Sequence, residues 1–81
     1  MISEKYNLNQ ATLDFVNDYA RRVKKGFIIS NKELIEIFNK SKYYNEEVET
    51  YYPTARSKSL WYAIHRSDVW VKSRRGIYER I

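Results

Sequence analysis

The sequence predicts an α+β fold in which three helices pack against a small antiparallel sheet. Apolar residues recur at the spacing of a helix in three stretches of the chain. Near the C-terminus, two runs rich in β-branched and aromatic residues flank Arg74-Arg75-Gly76, as in a tight hairpin. A short apolar run separates the first two helices, so the expected order is helix, strand, helix, helix, strand, strand. The chain of 81 residues is expected to form a single domain.

The first helix is predicted from a stripe of apolar positions at the spacing i, i+4, i+7, i+8, i+11 and i+15. The stripe consists of Leu8, Thr12, Phe15, Val16, Tyr19 and Val23. Asn7 or Asn9 can cap the start of this helix. The four cations within residues 21–25 are expected in its last turn, where the helix dipole favours positive charge, and Gly26 is expected to end it. Residues 1–7 are predicted to be a flexible lead-in.

A short strand and a second helix are predicted next. Residues 27–29 are too few for a helix and suit a buried strand, with Ile28 facing the core. Ser30 and Glu33 match a capping box, in which each side chain satisfies the backbone amide of the other. The second helix is expected to continue through Phe38 and to fade near residues 41–42.

Residues 43–52 carry the densest negative charge of the chain and have no apolar period. This pattern predicts a loop with room for a single helical turn. Tyr43, Tyr44, Tyr51 and Tyr52 bracket the acidic residues. Exposed aromatic side chains can stack on unpaired bases, but binding of that kind needs neighbouring cations. Because the neighbours here are glutamates, packing of the loop against the domain is the favoured interpretation.

The third helix is predicted over residues 54–66, restarted by Pro53. Its apolar side is expected to comprise Ser57, Leu60, Trp61 and Ile64. Its opposite, polar side is expected to comprise Ala55, Lys58, Ser59, Tyr62 and Arg66, with His65 at the edge. The small Ala55 and Ser59 would let the polar side approach another surface closely. Trp61 is expected in the core.

The last two strands are predicted over residues 69–73 and 77–81, joined at Arg74-Arg75-Gly76. Gly76 supplies the positive φ that a tight reversal needs. Trp70 alternates with two valines, and is therefore expected in the core. A basic hairpin beside a helix with a polar face predicts a surface suited to nucleic acid.

The positive charge of the chain is segregated. The formal net charge is +5, and residues 1–50 contain eight Lys/Arg and eight Asp/Glu. Residues 51–81 contain seven Lys/Arg and two Asp/Glu, a difference of +5, so the whole excess lies there. This asymmetry indicates a polyanion or an acidic partner.

Composition argues against several classes of protein. The chain has no cysteine and one histidine, so we expect neither disulfides nor a metal site, and no cofactor. The longest apolar run, residues 60–64, is far shorter than a membrane span, and we expect a cytoplasmic protein with no membrane partner. No Ser/His/Asp constellation is apparent, and the spacing of the acids does not suggest a nuclease centre. We therefore expect no enzymatic activity.

The order of these elements, and the ending in a basic hairpin whose second strand opens Gly76-Ile77-Tyr78, resembles the winged helix-turn-helix family over about residues 8–81. In general pattern the chain looks similar to small winged-helix modules of bacterial and phage DNA-handling proteins. The resemblance implies a third helix in the major groove of DNA and a hairpin, the wing, on the backbone or minor groove. One departure is the link between the second and third helices, which is long and acidic, so its glutamates would have to point away from the duplex.

The resemblance also implies which residues contact DNA. On the third helix they would be Lys58, Ser59, Tyr62 and Arg66, with Arg56 and His65 at the margins. On the wing they would be Lys72, Arg74 and Arg75. At the start of the second helix they would be Asn31 and Lys32.

Two functions follow as hypotheses. The first is sequence-tolerant or sequence-specific binding of double-stranded DNA, as a small transcriptional regulator or as the DNA-targeting module of a larger system. The second is a protein-interaction module whose basic face docks an acidic partner, either as a complex subunit or as an inhibitor. A homodimer is compatible with the first hypothesis, since many such regulators read two half-sites.

Overall fold

The computed structural model describes residues 6–81, which form an α+β arrangement of three α-helices and a three-stranded antiparallel sheet. The helices are α1 (Leu8–Ala20), α2 (Asn31–Asn39) and α3 (Ala55–Arg66). The strands are β1 (Ile28–Ser30), β2 (Trp70–Arg74) and β3 (Ile77–Arg80). The order of elements is the predicted one, with a 3-10 helix over Glu46–Thr50 between α2 and α3.

Helix α1 begins as predicted and ends earlier. The side chain of Asn7 accepts a hydrogen bond from the backbone amide of Gln10 at 3.1 Å and caps the start. The helix ends at Ala20, so the prediction that the cations of residues 21–25 occupy its last turn is wrong. The carbonyl of Ala20 accepts instead from the Arg80 Nε atom at 2.9 Å, which brings a distant cation to the helix end. Residues 1–5 of the predicted lead-in lie outside the described residues.

Helix α2 starts with the predicted capping box. The Glu33 amide donates to the Ser30 hydroxyl at 3.1 Å, and the Ser30 amide donates to the Glu33 carboxylate at 3.4 Å. Leu34 and Phe38 are fully buried on the inner face of the helix. The capping box fixes where the chain leaves β1 and enters α2, and hence where Asn31 lies.

Residues 43–52, which we call the acidic segment, fold onto the domain through hydrogen bonds and an ion pair of their side chains. The Tyr44 hydroxyl donates to the Glu49 carboxylate, and the Tyr51 hydroxyl donates to Glu47 at 3.0 Å. Arg56 of α3 pairs with Glu49 at 3.1 Å. The predicted loop with a single helical turn is confirmed, as is its packing on the domain, because Val48 is buried and Tyr43, Tyr44 and Tyr51 lie partly buried against the core.

Helix α3 packs mainly against α1. The small residues Ser59 and Ala63, one helical turn apart on α3, are both buried. The Ser59 hydroxyl oxygen lies 2.9 Å from that of Thr12, and it donates to the Asn9 side chain at 2.7 Å. Ser59 was predicted to let α3 approach an external surface closely. It lies instead at the contact between α3 and the α1 region of the same domain.

The sheet has the strand order β1-β3-β2, with β3 in the centre. Ile29 of β1 pairs with Tyr78, and Lys72 of β2 pairs with Tyr78 from the other side. A β-bulge follows Lys72, and Gly76 takes the predicted positive φ of +72° at the hairpin tip. The prediction that Ile28 faces the core is wrong: because successive strand residues face opposite sides, burial of Ile29 leaves Ile28 exposed.

One core joins the three helices to the sheet. Its largest fully buried members are Trp70, Phe38, Leu34, Leu60, Ile64, Val16 and Val48. The predicted burial of Trp70 is confirmed: its indole N–H donates to the Val16 carbonyl at 2.8 Å, and its ring is parallel to that of Tyr19. The prediction for Trp61 is wrong, since 42% of that residue remains exposed. Within residues 6–81 no helix has the length and apolar character needed to cross a membrane.

Candidate functional site

A groove between α3 and the β2–β3 hairpin brings together residues from four elements. We call it the α3–hairpin groove; its volume is about 510 Å³. It is lined by Asn31, Ser57, Lys58, Trp61, Tyr62, Lys72, Arg75, Gly76 and Tyr78. The first of these residues starts α2, the next four lie on α3, and the others lie on the hairpin.

The relative positions of the walls are fixed by Asn31. Its side-chain Nδ2 donates to the Tyr78 hydroxyl at 2.9 Å, and its Oδ1 accepts from the Ser57 hydroxyl at 3.0 Å. Its backbone amide donates to the Gly76 carbonyl at 2.8 Å. One residue therefore ties the start of α2 to α3, to the central strand and to the hairpin tip. Burial raises the pKa of Tyr78, so its hydroxyl stays protonated at neutral pH.

The charge of the groove is positive. Lys58 contributes a cation from α3, and Lys72 and Arg75 contribute two from the hairpin, all on exposed residues. Among the described residues that line the groove, none is acidic. Within residues 6–81 the ion pairs join Arg22 to Asp18 and Arg56 to Glu49, and so neither neutralises a cation of the groove. Like charges held together in this way attract an anion.

Aromatic side chains form the outer wall of the groove on α3. Trp61 and Tyr62 are 42% and 57% exposed, with their ring centroids 5.4 Å apart in an edge-to-face arrangement. The ring of His65, one turn further along the helix, lies 4.2 Å from that of Trp61. The exposed face of α3 is therefore both cationic and aromatic.

The structure brings together some of the site residues predicted from the sequence. Five of them line the α3–hairpin groove: Asn31, Lys58, Tyr62, Lys72 and Arg75. Arg66, Arg74 and Lys32 are exposed, but they lie outside the lining of the groove. His65 is exposed at its edge and lines a neighbouring depression that includes Trp70 and Lys72. The start of α2, α3 and the hairpin thus contribute to one surface.

Two of the predicted site residues require correction. Ser59 is 3% exposed and has its hydroxyl bound to α1, so it cannot contact an external ligand. Arg56 is committed within the domain, donating to the Asn39 side chain at 2.8 Å and to Glu49 at 3.1 Å. The error for Ser59 arises because the buried face of α3 includes Ser59 and Ala63, whereas the prediction placed Ser59 on the exposed face.

Sequence reasoning also missed four lining residues, Ser57, Trp61, Gly76 and Tyr78. The two on α3, Ser57 and Trp61, were assigned to the apolar side of that helix. The overlooked signal is the pair of small residues Ser59 and Ala63, at the spacing i, i+4, which is typical of a close contact between two helices. Placing that pair against another helix turns Trp61 outward.

The acidic segment lies away from the groove. Arg56, which holds Glu49, is two positions before Lys58, and so points about 200° away around the helix axis. The depression beside the segment is lined by Ile35, Glu49, Tyr51, Tyr52, Pro53 and Arg56, none of which lines the groove. The hydrogen bond from Tyr44 and the charge of Arg56 lower the pKa of Glu49, which therefore stays ionised and held to its partners.

The groove has the chemistry of a surface that binds an anion through side chains. Among residues 6–81, no group of three or more His, Asp or Glu side chains is positioned to hold a metal ion. Comparison with protein-family models, curated proteins and solved structures finds no match to this chain. We therefore infer function from the geometry and charge of the groove.

Proposed function

We propose that this chain is a winged helix-turn-helix module that binds double-stranded DNA with α3 and the β2–β3 hairpin, as a transcriptional regulator or as the targeting module of a larger system. The observation that supports this most strongly is the position of three cations, Lys58, Lys72 and Arg75, from two separate elements, in one groove. Arg66 on α3 and Arg74 on β2 are two further exposed cations on the same two elements. The lattice of phosphates on a duplex is the polyanion that such a spread of cations fits.

Dimensions and residue types support the same proposal. An α-helix with its side chains is about 10–12 Å wide, close to the roughly 12 Å width of the major groove. In α3, Lys58 and Tyr62 lie one turn apart on the exposed face and would reach base edges. Arg74 and Arg75, beside the tip of the hairpin, would bind phosphates and set the register. Arg56 holds the acidic segment on a different side of α3, so its glutamates would not repel the phosphates of the duplex.

A charge-matched comparison tests the proposal. The groove variant Lys58→Ala/Lys72→Ala/Arg75→Ala removes three cations from the groove. The control variant Arg21→Ala/Lys24→Ala/Lys25→Ala removes three exposed cations that follow α1. Fluorescence anisotropy with a labelled random-sequence duplex should give a slope of log K against log salt of about −4 to −5 for the parent protein, from roughly five phosphate contacts.

The two variants separate a binding site from general electrostatic attraction. The groove variant should weaken binding to every duplex sequence and reduce the magnitude of the salt slope by about 3. The control variant should keep the slope of the parent protein. Equal losses in both variants, or a parent slope near zero, would rule out the groove as the DNA site.

A second candidate function is favoured by one observation, the exposure of Trp61 and Tyr62 beside the cations of the groove. Tryptophan, tyrosine and arginine are enriched among the residues that dominate protein interfaces. The alternative is therefore a module that docks an acidic protein through the same groove. Retention on a heparin column at low salt without a shift of any DNA probe would favour this alternative over the first proposal.

A further inference from the structure

The exposed ring of Trp61 is the feature of the groove that binding to duplex phosphates leaves unused. Trp61 lies on the same face of α3 as Lys58 and Tyr62, and its ring meets those of Tyr62 and His65. Trp61 keeps 42% of its surface exposed, whereas Trp70 is 2% exposed. A large aromatic ring left partly exposed among cations indicates a ligand with a flat face and a negative charge.

An intact duplex offers little to such a ring. Inside a duplex each base face is covered by its neighbours, and the grooves present base edges that are read by hydrogen bonds. The indole has one N–H donor and no acceptor, so it reads edges poorly. An unpaired base presents its π face, and stacking of unpaired bases on aromatic side chains beside cations is the usual mode of single-strand binding.

We infer that the preferred ligand of the α3–hairpin groove is duplex DNA that ends in, or is interrupted by, an unpaired nucleotide, whose base stacks on Trp61. This inference rests on the proposed function, because the duplex part would occupy α3 and the hairpin as described above. Lys72 and Arg75, across the groove from Trp61, neutralise the phosphates that flank the unpaired base. The neighbouring Tyr62 and His65 rings pack against the indole and hold it in place.

The two tryptophans of the chain provide a direct readout. Trp70 is 2% exposed, with its indole N–H bound to the Val16 carbonyl, so a ligand cannot reach it. Quenching of tryptophan fluorescence by a stacked base therefore reports on Trp61. The variant Trp61→Phe should lose the quenching and keep the folded signal of Trp70.

The experiment compares three DNA probes of matched sequence. They are a blunt duplex, the same duplex with a short unpaired extension, and a duplex whose extension has the same phosphates but abasic sugars. Fluorescence anisotropy should show that the extension tightens binding by about 5- to 150-fold, equivalent to about 1–3 kcal/mol per stacked base, and that the abasic extension does not. Trp61→Ala should abolish this preference, so that the three probes bind with equal affinity, whereas Tyr52→Ala, which removes an exposed ring outside the groove, should keep the preference.

The outcomes distinguish this inference from the proposed function. If all three probes bind equally tightly, the unpaired base is not recognised, and duplex binding stands alone. If Trp61→Ala weakens binding to the blunt duplex as much as to the extended one, Trp61 contacts the duplex itself and the inference is overturned. If no probe binds, the proposed function and this inference both fail, and the docking of an acidic protein on Trp61 becomes the remaining assignment. Circular dichroism of each variant establishes that it is folded.

Discussion

Asn31 and Tyr78 are joined by a hydrogen bond of 2.9 Å between residues that are 47 positions apart in the chain. The bond connects the first residue of α2 to the centre of the sheet, beneath the groove between α3 and the hairpin. The side-chain nitrogen of Asn31 donates this bond, and its side-chain oxygen accepts a second one from the Ser57 hydroxyl at 3.0 Å. The shape of the groove therefore depends on the uncharged Asn31. Its bonds fix the positions of the elements that carry Lys58, Lys72 and Arg75.

The first prediction concerns this connection. Asn31→Ala should lower the free energy of unfolding by about 1–3 kcal/mol, because the buried Tyr78 hydroxyl and the Ser57 hydroxyl lose their shared partner. Urea unfolding should show a lower midpoint with an unchanged m-value. Asn17→Ala, on the exposed side of α1, is the control and should leave the midpoint nearly unchanged. Equal midpoints for the two variants would show that Asn31 does not couple the elements.

A second prediction addresses the contact between α1 and α3. Ser59→Ala should cost about 1–2 kcal/mol of stability, because Thr12 and Asn9 lose a hydrogen-bond partner in a buried setting. Ser73→Ala, at an exposed position of β2, should cost less than about 0.5 kcal/mol. Thermal or urea unfolding measures both changes. A loss of ligand affinity in Ser59→Ala without a loss of stability would contradict the burial of this side chain.

The two tryptophans allow a third prediction from one chemical change at two positions. Trp70→Phe should destabilise the protein by about 1–3 kcal/mol or more, because the Val16 carbonyl loses its donor and the core loses volume. Trp61→Phe should change stability by less than about 0.5 kcal/mol, since that ring packs on the surface. Urea unfolding followed by circular dichroism measures both variants independently of tryptophan fluorescence. The opposite ranking would show that Trp61 belongs to the core.

A fourth prediction concerns alkaline pH. Burial, followed by the nearby Tyr51 and Tyr44, raises the pKa of Tyr6 to about 12 from the ordinary 10.0, and the Tyr6 hydroxyl donates to the Tyr43 carbonyl at 2.6 Å. Because the pKa is higher in the folded state than in the unfolded state, the stabilisation is complete below pH 10 and is lost as the pH rises through 12. Urea unfolding across this range should show a fall in stability that is smaller in Tyr6→Phe.

The control for this pH dependence is Tyr52→Phe, which alters a tyrosine that is 86% exposed. Its stability should fall with pH as steeply as that of the parent protein. Burial also raises the pKa of Tyr78, so part of the alkaline loss should persist in Tyr6→Phe. A stability that is constant between pH 10 and 12 would contradict the burial of both hydroxyls and the hydrogen bond that the Tyr6 hydroxyl donates.

Much of the secondary structure could be read from local patterns. The Ser30/Glu33 capping box, the cap at Asn7 and the glycine at position 76 are signals contained within a few residues, and each is present in the structure. The end of α1 could not be read in this way, because its last carbonyl is bound by Arg80, 60 residues further on. Local patterns identify where an element can form, and distant partners determine where it stops.

The most consequential error of the prediction was its assignment of the buried and exposed faces of α3. The prediction placed the apolar face on Leu60, Trp61 and Ile64, although Ser59 and Ala63 are buried and Ser59 bonds to the α1 region. The core includes Leu60 and Ile64 as predicted, and Trp61 lies at the surface instead. The aromatic wall of the groove therefore emerges only when the two helices are packed together.

The sequence by itself determined the order of the elements, the caps of the first two helices and the segregation of positive charge into residues 51–81. These properties arise from neighbouring residues or from simple counts, so they need no knowledge of the fold. The tertiary structure alone decided that Lys58, Lys72 and Arg75 share one groove, that Ser59 and Arg56 are used within the domain, and that Trp61 faces solvent. Those outcomes depend on the competition among faces for one small core, which is resolved only when all the elements pack at once.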